Sequence, residues 1–184
     1  MEHQILIAGF GGQGVMLAGV LLAQAAMTEG HEVSWAPSYG PEMRGGTAHC
    51  SVVISDETVA SPVVTRPTGL IVLNGPSLAR FEPAVVPGGV LVANMSLLTA
   101  PPRRTDIHVI LVPATEWAAA QGSPAVANMV ALGALATATG AVRLESLKQA
   151  LSQVIHARHQ HLLPLNERAL EEGSRLAARP QALR

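Results

Sequence analysis

The sequence predicts a single α/β domain over residues 1–184, with a doubly wound, mostly parallel but mixed sheet and helices on both faces. Two observations lead to this fold class. Short aliphatic runs, typical of strands covered on both faces, recur along the chain. The first run passes through a glycine-rich turn directly into an apolar helical segment. With 48% apolar and 14% charged residues and no repeat or low-complexity linker, we expect one globular domain.

The first elements predict a Rossmann-like strand–helix–strand unit. Residues 5–8 form an aliphatic strand, and residues 9–14 follow as a turn that carries four glycines. Residues 15–28 are apolar on nearly every face, which predicts a buried helix that ends before Gly30. Residues 32–36 predict a second strand, parallel to the first, because such connections are right-handed and join parallel strands.

The middle of the chain predicts at least four more strands. Two of them, residues 49–54 and 59–64, are joined by the turn-forming residues 55–58, which predicts a hairpin and hence a mixed sheet. Further buried strands are predicted by three aliphatic runs, at residues 70–73, 90–93 and 108–112.

Helices are predicted at residues 77–81, 126–139, 144–155 and 164–176. The segment 126–139 is apolar on nearly all sides, so we expect it to be buried. The segment 144–155 repeats leucine and isoleucine at helical spacing among polar residues, which predicts an amphipathic surface helix.

The charge balance excludes some classes of partner. Twelve basic and thirteen acidic residues give a formal charge of −1, which supplies no basic field for nucleic acid or an anionic membrane. The longest apolar stretch, residues 15–27, is shorter than the roughly 20 residues that a bilayer span requires. The first residues show no basic leader, so a cytoplasmic location is expected.

Glycines 9, 11 and 14 satisfy the G-x-G-x-x-G pattern between a predicted strand and a predicted helix. In that context backbone N–H groups can approach a phosphate at the positive end of the helix. An NAD site also needs an acidic residue at the end of the second strand, where residues 35–38 are Trp-Ala-Pro-Ser. The pattern therefore disfavours NAD and NADP, and leaves two alternatives, an anion site or glycines needed only for close packing.

Two other groups of residues have structural explanations. Cys50 lies in a predicted buried strand, which favours a core thiol over a nucleophile, and a single cysteine cannot hold an iron–sulfur cluster. His156, His159 and His161 lack accompanying carboxylates or cysteines, so a polar helix end is favoured over a metal site.

Two loops carry a resemblance to a known family. Residues 9–15 (Gly-Phe-Gly-Gly-Gln-Gly-Val) and 38–48 (Ser-Tyr-Gly-Pro-Glu-Met-Arg-Gly-Gly-Thr-Ala) resemble the gamma subunit of 2-oxoacid:ferredoxin oxidoreductases. The similarity is greatest to the 2-oxoglutarate type, with pyruvate and ketoisovalerate enzymes as relatives. It extends over nearly the whole chain, and the paired loops are far more specific than G-x-G-x-x-G alone.

The resemblance implies one part of an enzyme complex. Such complexes convert a 2-oxoacid, coenzyme A and oxidised ferredoxin into acyl-CoA, carbon dioxide and reduced ferredoxin. Thiamine diphosphate, Mg²⁺ and iron–sulfur clusters would be held by other subunits, so no cofactor is expected on this chain alone. The implied partners are alpha and beta subunits, with a delta or ferredoxin-like subunit as a further candidate and ferredoxin reached through the complex. The isolated chain is expected to be inactive and could form a homodimer through its apolar surface.

The two loops supply the candidate site. We expect no catalytic residue and no metal ligand here. The glycine turn offers backbone donors and Arg44 a planar cation, so these loops are expected to meet the coenzyme A phosphates or a partner subunit. Glu42 would pair with Arg44 or with a partner cation; alternatively, both residues only fix the loop. A stand-alone nucleotide- or CoA-binding protein is the alternative function. The candidate cofactor-binding residues are Gly11, Gly12, Gln13, Gly14, Ser38, Tyr39, Glu42, Arg44, Gly45 and Gly46.

Overall fold

A computed structural model describes residues 1–38 and 46–179 and shows one six-stranded mixed sheet. The strand order across the sheet is β2-β3-β1-β4-β5-β6. The strands are β1 (Glu2–Phe10), β2 (Glu32–Ser38), β3 (Thr47–Ser55), β4 (Gly69–Val72), β5 (Val90–Asn94) and β6 (His108–Val112). The mixed, doubly wound sheet that the sequence predicts is confirmed.

Six α-helices accompany the sheet in the described residues. They are α1 (Val15–Thr28), α2 (Gly75–Phe81), α3 (Ala114–Ala120), α4 (Ala127–Thr139), α5 (Leu144–Val154) and α6 (Leu163–Ala177). All the predicted helices are present, whereas α3 was not predicted from the sequence. Short 3₁₀ turns lie at Glu82–Ala84, Met95–Leu97, Pro124–Val126 and Ala157–Leu162. No helix in these ranges combines the length and apolarity that crossing a bilayer requires.

The predicted hairpin of residues 49–54 and 59–64 is wrong in its second strand. β3 lies between β1 and β2 and pairs antiparallel with both, so its hydrogen-bonding edges are already occupied on each side. Residues 59–64 form no strand. Pro62 cannot donate to a ladder, and Val63 is 65% exposed, so this segment is connecting chain. β1 and β2 still run parallel, as predicted, with β3 inserted between them.

The core lies on both faces of the sheet. On one face, Ile5 and Ile7 of β1 pack in a cluster with α1, α4, α5 and α6. On the other face, Leu6 and Ala8 pack with Leu78 of α2. This alternation within β1 is the period of two that a strand imposes on its side chains. As predicted, α4 is buried nearly all round and α5 exposes its polar side.

Helical connections cross the two faces of the sheet in different parts of the chain. The point at which they diverge locates the candidate site. The connection from β1 to β2 crosses through α1 on one face, and that from β4 to β5 crosses through α2 on the other. The chain therefore diverges at the adjacent carboxyl ends of β1 and β4. In open α/β sheets such a topological switch point creates a crevice in which ligands bind.

Candidate functional site

The two motif loops meet at the carboxyl edge of the sheet. Gly11 follows β1 and donates its backbone N–H to the Gly46 carbonyl at 3.1 Å, immediately before β3 begins. Ser38 ends β2 at the same edge, opposite His49 of β3. Of the predicted site residues, the structure brings Gly11, Gly12, Gln13, Gly14, Ser38 and Gly46 to one edge. Tyr39, Glu42, Arg44 and Gly45 lie outside the described residues.

The glycine turn requires glycine for two different reasons. Gln13 donates its backbone N–H to the Phe10 carbonyl at 3.1 Å, and Gly12 adopts a φ of 93° inside this turn. Gly14, the N-cap of α1, has a φ of 75°, and a Cβ added there would overlap the Asn128 amide. Positive φ suits glycine, which has no Cβ to clash. Larger residues are therefore excluded by conformation at Gly12 and by both conformation and packing at Gly14.

The amino end of α1 is available to an anion. Gly14 has no side chain, so the N-cap provides no side-chain hydrogen bond to the first turn. Gly11 and Gly12 are exposed beside it. Uncapped N–H groups at a helix amino end, together with the helix dipole, favour a negatively charged group there. The geometry therefore agrees with both alternatives for the glycine turn, because this amino end is exposed and a Cβ at Gly14 would also overlap Asn128.

The Gln13 side chain holds this turn against the neighbouring strand. Its Oε1 accepts from the Phe10 backbone N–H at 2.6 Å and from Asn74 Nδ2 at 3.0 Å. Its Nε2 donates to the Leu73 carbonyl at 3.3 Å. The amide oxygen and one of the two Nε2 hydrogens are thus engaged inside the protein.

Sequence reasoning missed the amides that surround the switch point as site residues. Asn74, directly after β4, caps α2 by accepting from the Ser77 backbone N–H at 2.9 Å. Asn94, the last residue of β5, donates to Thr115 Oγ1 at 2.8 Å. The sequence offered one signal for Asn74 and Asn94: each is a polar residue at the end of a buried strand. Asn128 on α4 carried no such signal, because it meets Gly14 from 114 positions away.

Two adjoining depressions lie at this edge. The glycine depression, about 310 Å³, is lined by residues that include Phe10, Gly11, Gly12, Gly14 and Leu17. The amide depression, about 400 Å³, is lined by residues that include Gly12, Gln13, Asn94, Leu97, Thr115 and Asn128. Gly12 borders both, and none of the described residues that line either one is charged. A negative ligand would therefore meet uncharged groups and N–H dipoles among the described lining residues.

The geometry agrees with the prediction against NAD. The acidic residue of β2 is Glu32, which begins the strand, whereas Ser38 stands at the carboxyl end where a ribose-binding acid belongs. The glycine turn alone therefore does not make a dinucleotide site.

Cys50 and the histidines lie where the sequence suggests. Cys50 is fully buried, its thiol donates to the Val15 carbonyl at 3.5 Å, and burial raises the pKa of that thiol to about 12. The prediction of a core thiol is confirmed. His156, His159 and His161 are exposed around the 3₁₀ turn Ala157–Leu162. Within residues 1–38 and 46–179, no three histidine, cysteine or acidic residues are grouped as metal ligands.

Comparison with known proteins gives consistent matches. Residues 4–176 match the family model described as pyruvate ferredoxin/flavodoxin oxidoreductase. The chain is 43% identical over 178 residues to ketoisovalerate oxidoreductase subunit VorA of Methanothermobacter thermautotrophicus, covering 96% of this chain and 36% of that protein. It is 37% identical over 154 residues to 2-oxoglutarate synthase subunit KorC of Methanocaldococcus jannaschii, covering 82% of each.

Solved structures share the fold over nearly the full chain. The gamma subunit of a keto/oxoacid ferredoxin oxidoreductase from Geobacter sulfurreducens has a TM-score of 0.82 at 31% identity, covering 95% of this chain and 98% of that one. The 2-oxoglutarate:ferredoxin oxidoreductase of Magnetococcus marinus, with 2-oxoglutarate, coenzyme A and succinyl-CoA bound, has a TM-score of 0.87 at 27% identity. That match covers 98% of this chain and 32% of the other.

The lengths of the relatives differ. The chain spans just over a third of the VorA relative and about a third of the Magnetococcus chain, but nearly all of the Geobacter gamma subunit. The same domain thus occurs both as a segment of a longer polypeptide and as a separate subunit. The family model covers almost the whole sequence, and the two characteristic loops meet in space. The chain therefore belongs to the pyruvate ferredoxin/flavodoxin oxidoreductase family.

Proposed function

We propose that the chain is the gamma component of a 2-oxoacid:ferredoxin oxidoreductase. The complex oxidatively decarboxylates a 2-oxoacid with coenzyme A, giving acyl-CoA, carbon dioxide and reduced ferredoxin. The observation that carries the proposal is the joining of the two motif loops, through Gly11 and Gly46, at the switch point of a gamma-subunit fold. The relatives act as subunits of such enzymes, and this chain would do the same with alpha and beta subunits in the cytoplasm.

The role of the chain would be to complete the coenzyme A region. The N–H groups of Gly12 and Gly14 and the amino end of α1 would donate to phosphate oxygens at the glycine depression, whereas those of Gly11 and Gln13 donate to the Gly46 and Phe10 carbonyls. Arg44 belongs to the segment whose two ends, Ser38 and Gly46, stand at this same edge, so its guanidinium would supply the missing cation. The bound coenzyme A in the Magnetococcus enzyme supports this cosubstrate class.

The cofactors of the reaction would lie on other subunits. Cys50 is the chain's one cysteine and is buried, so this chain does not fit an iron–sulfur cluster, which takes about four cysteine ligands. The described residues likewise group no carboxylates in a way that fits Mg²⁺ of a thiamine diphosphate site. Thiamine diphosphate, when bound on a partner, supplies the carbanion chemistry, and the part of this chain is to bind and orient the cosubstrate.

The substrate is proposed to be 2-oxoglutarate. Relatives include both a ketoisovalerate enzyme subunit and 2-oxoglutarate synthase subunits, and the paired loops, residues 9–15 and 38–48, most resemble the 2-oxoglutarate type. Dye reduction by the assembled complex, compared between 2-oxoglutarate and 2-oxoisovalerate, tests this choice. A higher kcat/KM for 2-oxoisovalerate would overturn it.

The coenzyme A role is tested with Arg44→Ala in the complex assembled with its alpha and beta subunits. We expect the KM for coenzyme A to rise about 10- to 140-fold, since a charge-assisted contact contributes about 1.5–3 kcal/mol. The matched control is Arg66→Ala, an exposed arginine on the connection between β3 and β4. Unchanged KM, turnover and subunit retention in Arg44→Ala would remove the proposed role of this residue.

A further inference from the structure

A separate cavity lies on the α2 face of the sheet. It measures about 370 Å³ and lies between α2, with the 3₁₀ turn that follows it, and residues 99–104. None of its lining residues lines the glycine depression or the amide depression. Its volume is in the range of small-molecule sites, so the chemistry of its lining decides what it can bind.

Glu82 contributes a carboxylate to this cavity. The residue directly follows α2 and is only 6% exposed. Its Oε1 accepts from the backbone N–H groups of Arg103 and Arg104, at 2.5 and 2.8 Å. Its Oε2 accepts from no residue within 1–38 or 46–179, and it is not among the side-chain atoms that lack both a partner and contact with solvent. Oε2 is therefore open to the cavity that Glu82 lines.

The carboxylate of Glu82 has no counter-ion in the described part of the chain, where none of the ion pairs includes it. The neighbouring Arg104 is committed elsewhere. It donates from Nε and Nη2 to the two carboxylate oxygens of Asp106, both at 2.6 Å, and from Nη1 to the Val85 carbonyl at 2.9 Å. Glutamates this deeply buried are rare unless they are paired. Glu82 Oε2 can therefore receive a positively charged donor from a ligand.

Arg103 supplies the opposite charge to the same cavity. It is an exposed lining residue, and its side chain forms no ion pair with any residue that the structure describes, Glu82 included. A guanidinium group is well suited to bind a carboxylate, through two parallel hydrogen bonds. Because Arg104 and Asp106 neutralise each other, the cavity is left with one unpaired charge of each sign. A ligand that carries both an ammonium group and a carboxylate fits these charges better than a cation or an anion does.

Most of the remaining lining is apolar. Leu78 and Ala79 contribute from α2, Pro83 from the 3₁₀ turn, and Ala100 and Pro101 from the facing segment. An aliphatic group placed against these side chains would be removed from water, which is favourable. The lining thus combines two opposite charges with an apolar wall.

We propose that this cavity binds a free α-amino acid with an aliphatic side chain. Its ammonium group donates to Glu82 Oε2, its carboxylate accepts from the Arg103 guanidinium, and its side chain lies against Leu78 and Pro83. Every residue of the site belongs to this chain, so the isolated chain would bind the ligand. The site is therefore independent of the proposed function, and its test does not need the enzyme complex.

Nuclear magnetic resonance of the isotope-labelled full chain tests the proposal with three probes. These are L-leucine, N-acetyl-L-leucine, which has no ammonium group, and L-leucinamide, which has no carboxylate. We expect L-leucine to shift the amide signals of Arg103 and Arg104, whose N–H groups bond to Glu82, with a Kd at least about tenfold below that of either analogue. Unshifted signals at these two residues, or an analogue that binds as tightly as L-leucine, would overturn the proposal.

Two variants assign the charges to their residues. Glu82→Gln removes the negative charge but keeps Oε1 as an acceptor for the two backbone N–H groups, so we expect it to bind L-leucine and N-acetyl-L-leucine with similar Kd. Arg103→Gln is expected to bind L-leucine and L-leucinamide with similar Kd. If either variant retains the wild-type ratio for its pair of probes, the proposed contact is wrong. The probe series on the wild-type chain decides the matter if Glu82→Gln does not fold.

Glu29→Gln and Arg168→Gln are the matched controls. The Glu29 Oε1 also accepts a backbone N–H, that of Arg143 at 2.8 Å, but Glu29 lies at the end of α1. Arg168 is an exposed arginine of α6, which packs on the opposite face of the sheet from α2. Both controls are expected to keep the wild-type ratios of Kd. Ratios lowered equally in the controls and in the cavity variants would contradict a site at Glu82 and Arg103.

Discussion

At the scale of single residues, the site depends on side chains that organise backbone rather than on reactive groups. Gln13 and Asn128 hold opposite ends of the glycine turn, the first through the Phe10 N–H and the second through the Gly14 carbonyl. Within the turn, the Gly11 and Gln13 N–H groups donate to the Gly46 and Phe10 carbonyls. The side chains at this edge thus hold the glycine turn in one arrangement.

Gln13→Ala tests this organisation. The substitution leaves the Phe10 N–H and the Asn74 amide without their shared acceptor, so we expect a loss of about 1–3 kcal/mol in the free energy of unfolding. Urea unfolding followed by circular dichroism measures the change. Gln24→Ala, which removes an exposed hydrogen bond to Gln153, is the control and should have little effect. Equal stabilities of the two variants would contradict the assigned role of Gln13.

The burial of Cys50 leads to a prediction on pH. Because its pKa is raised to about 12, the thiolate that reacts with thiol reagents is scarce near pH 8. An ordinary cysteine at that pH has a roughly thousandfold larger thiolate fraction. We expect slow labelling of the native chain that accelerates above pH 10, and fast labelling once guanidinium chloride unfolds it. Rapid labelling of the folded chain at pH 8 would place Cys50 outside the core.

The properties of a single residue could be predicted when they depend on its neighbours in the sequence. The glycine turn, the missing acid at the end of β2 and the core position of Cys50 follow from neighbouring residues alone. The contact of Asn128 with Gly14 was not predictable, because nothing near either residue indicates that α4 reaches the start of α1. The close approach of Asn128 to Gly14 appears only in the folded structure, in which α1 and α4 both pack on the sheet.

At the scale of elements, the position of β3 and the crossing of α4 with α6 determine the shape of the molecule. β3 brings Gly46 next to Gly11 because its antiparallel direction places its first residues at the carboxyl edge of β1. α4 and α6 cross at Gly133 and Gly173, where a Cβ would overlap the carbonyl oxygens of Leu170 and Val130 respectively. Glycine at these crossings lets the two helix backbones approach closely.

Gly173→Ala tests the helix crossing. The added methyl overlaps the Val130 carbonyl, so α6 must move away from α4, and we expect a loss of about 1–3 kcal/mol of stability. Thermal unfolding measures the effect. Gly75→Ala is the matched control, because the nearest atom to its added Cβ is 3.6 Å away, an ordinary contact. A Gly173→Ala variant as stable as Gly75→Ala would show that the crossing is looser than described.

Elements with strong periodicity were predicted well, and the failures have physical causes. The apolar and amphipathic patterns of α1, α4 and α5 are local and identify these helices. Residues 59–64 carry β-branched residues, yet β3 already pairs on both edges with strands that precede it in the chain, β1 and β2. Local propensity therefore could not decide which segment joins the sheet.

At the scale of the whole molecule, we propose that the chain is a binding domain whose ligand meets the carboxyl edge of the sheet. The sheet, its two core clusters and the helix crossing support an edge that carries uncharged depressions and the ends of an arginine-bearing segment. Relatives carry the same domain as a separate subunit or within a longer polypeptide. A domain that completes a neighbouring active site can serve in either arrangement, which agrees with the proposed gamma role.

The most direct test of this role compares the complex of alpha and beta subunits with and without the chain. Dye reduction dependent on 2-oxoglutarate is measured over a range of coenzyme A concentrations. We expect that adding the chain restores turnover and lowers the KM for coenzyme A. Unchanged turnover and an unchanged KM for coenzyme A without the chain, or reduction of NAD by the chain alone, would contradict it.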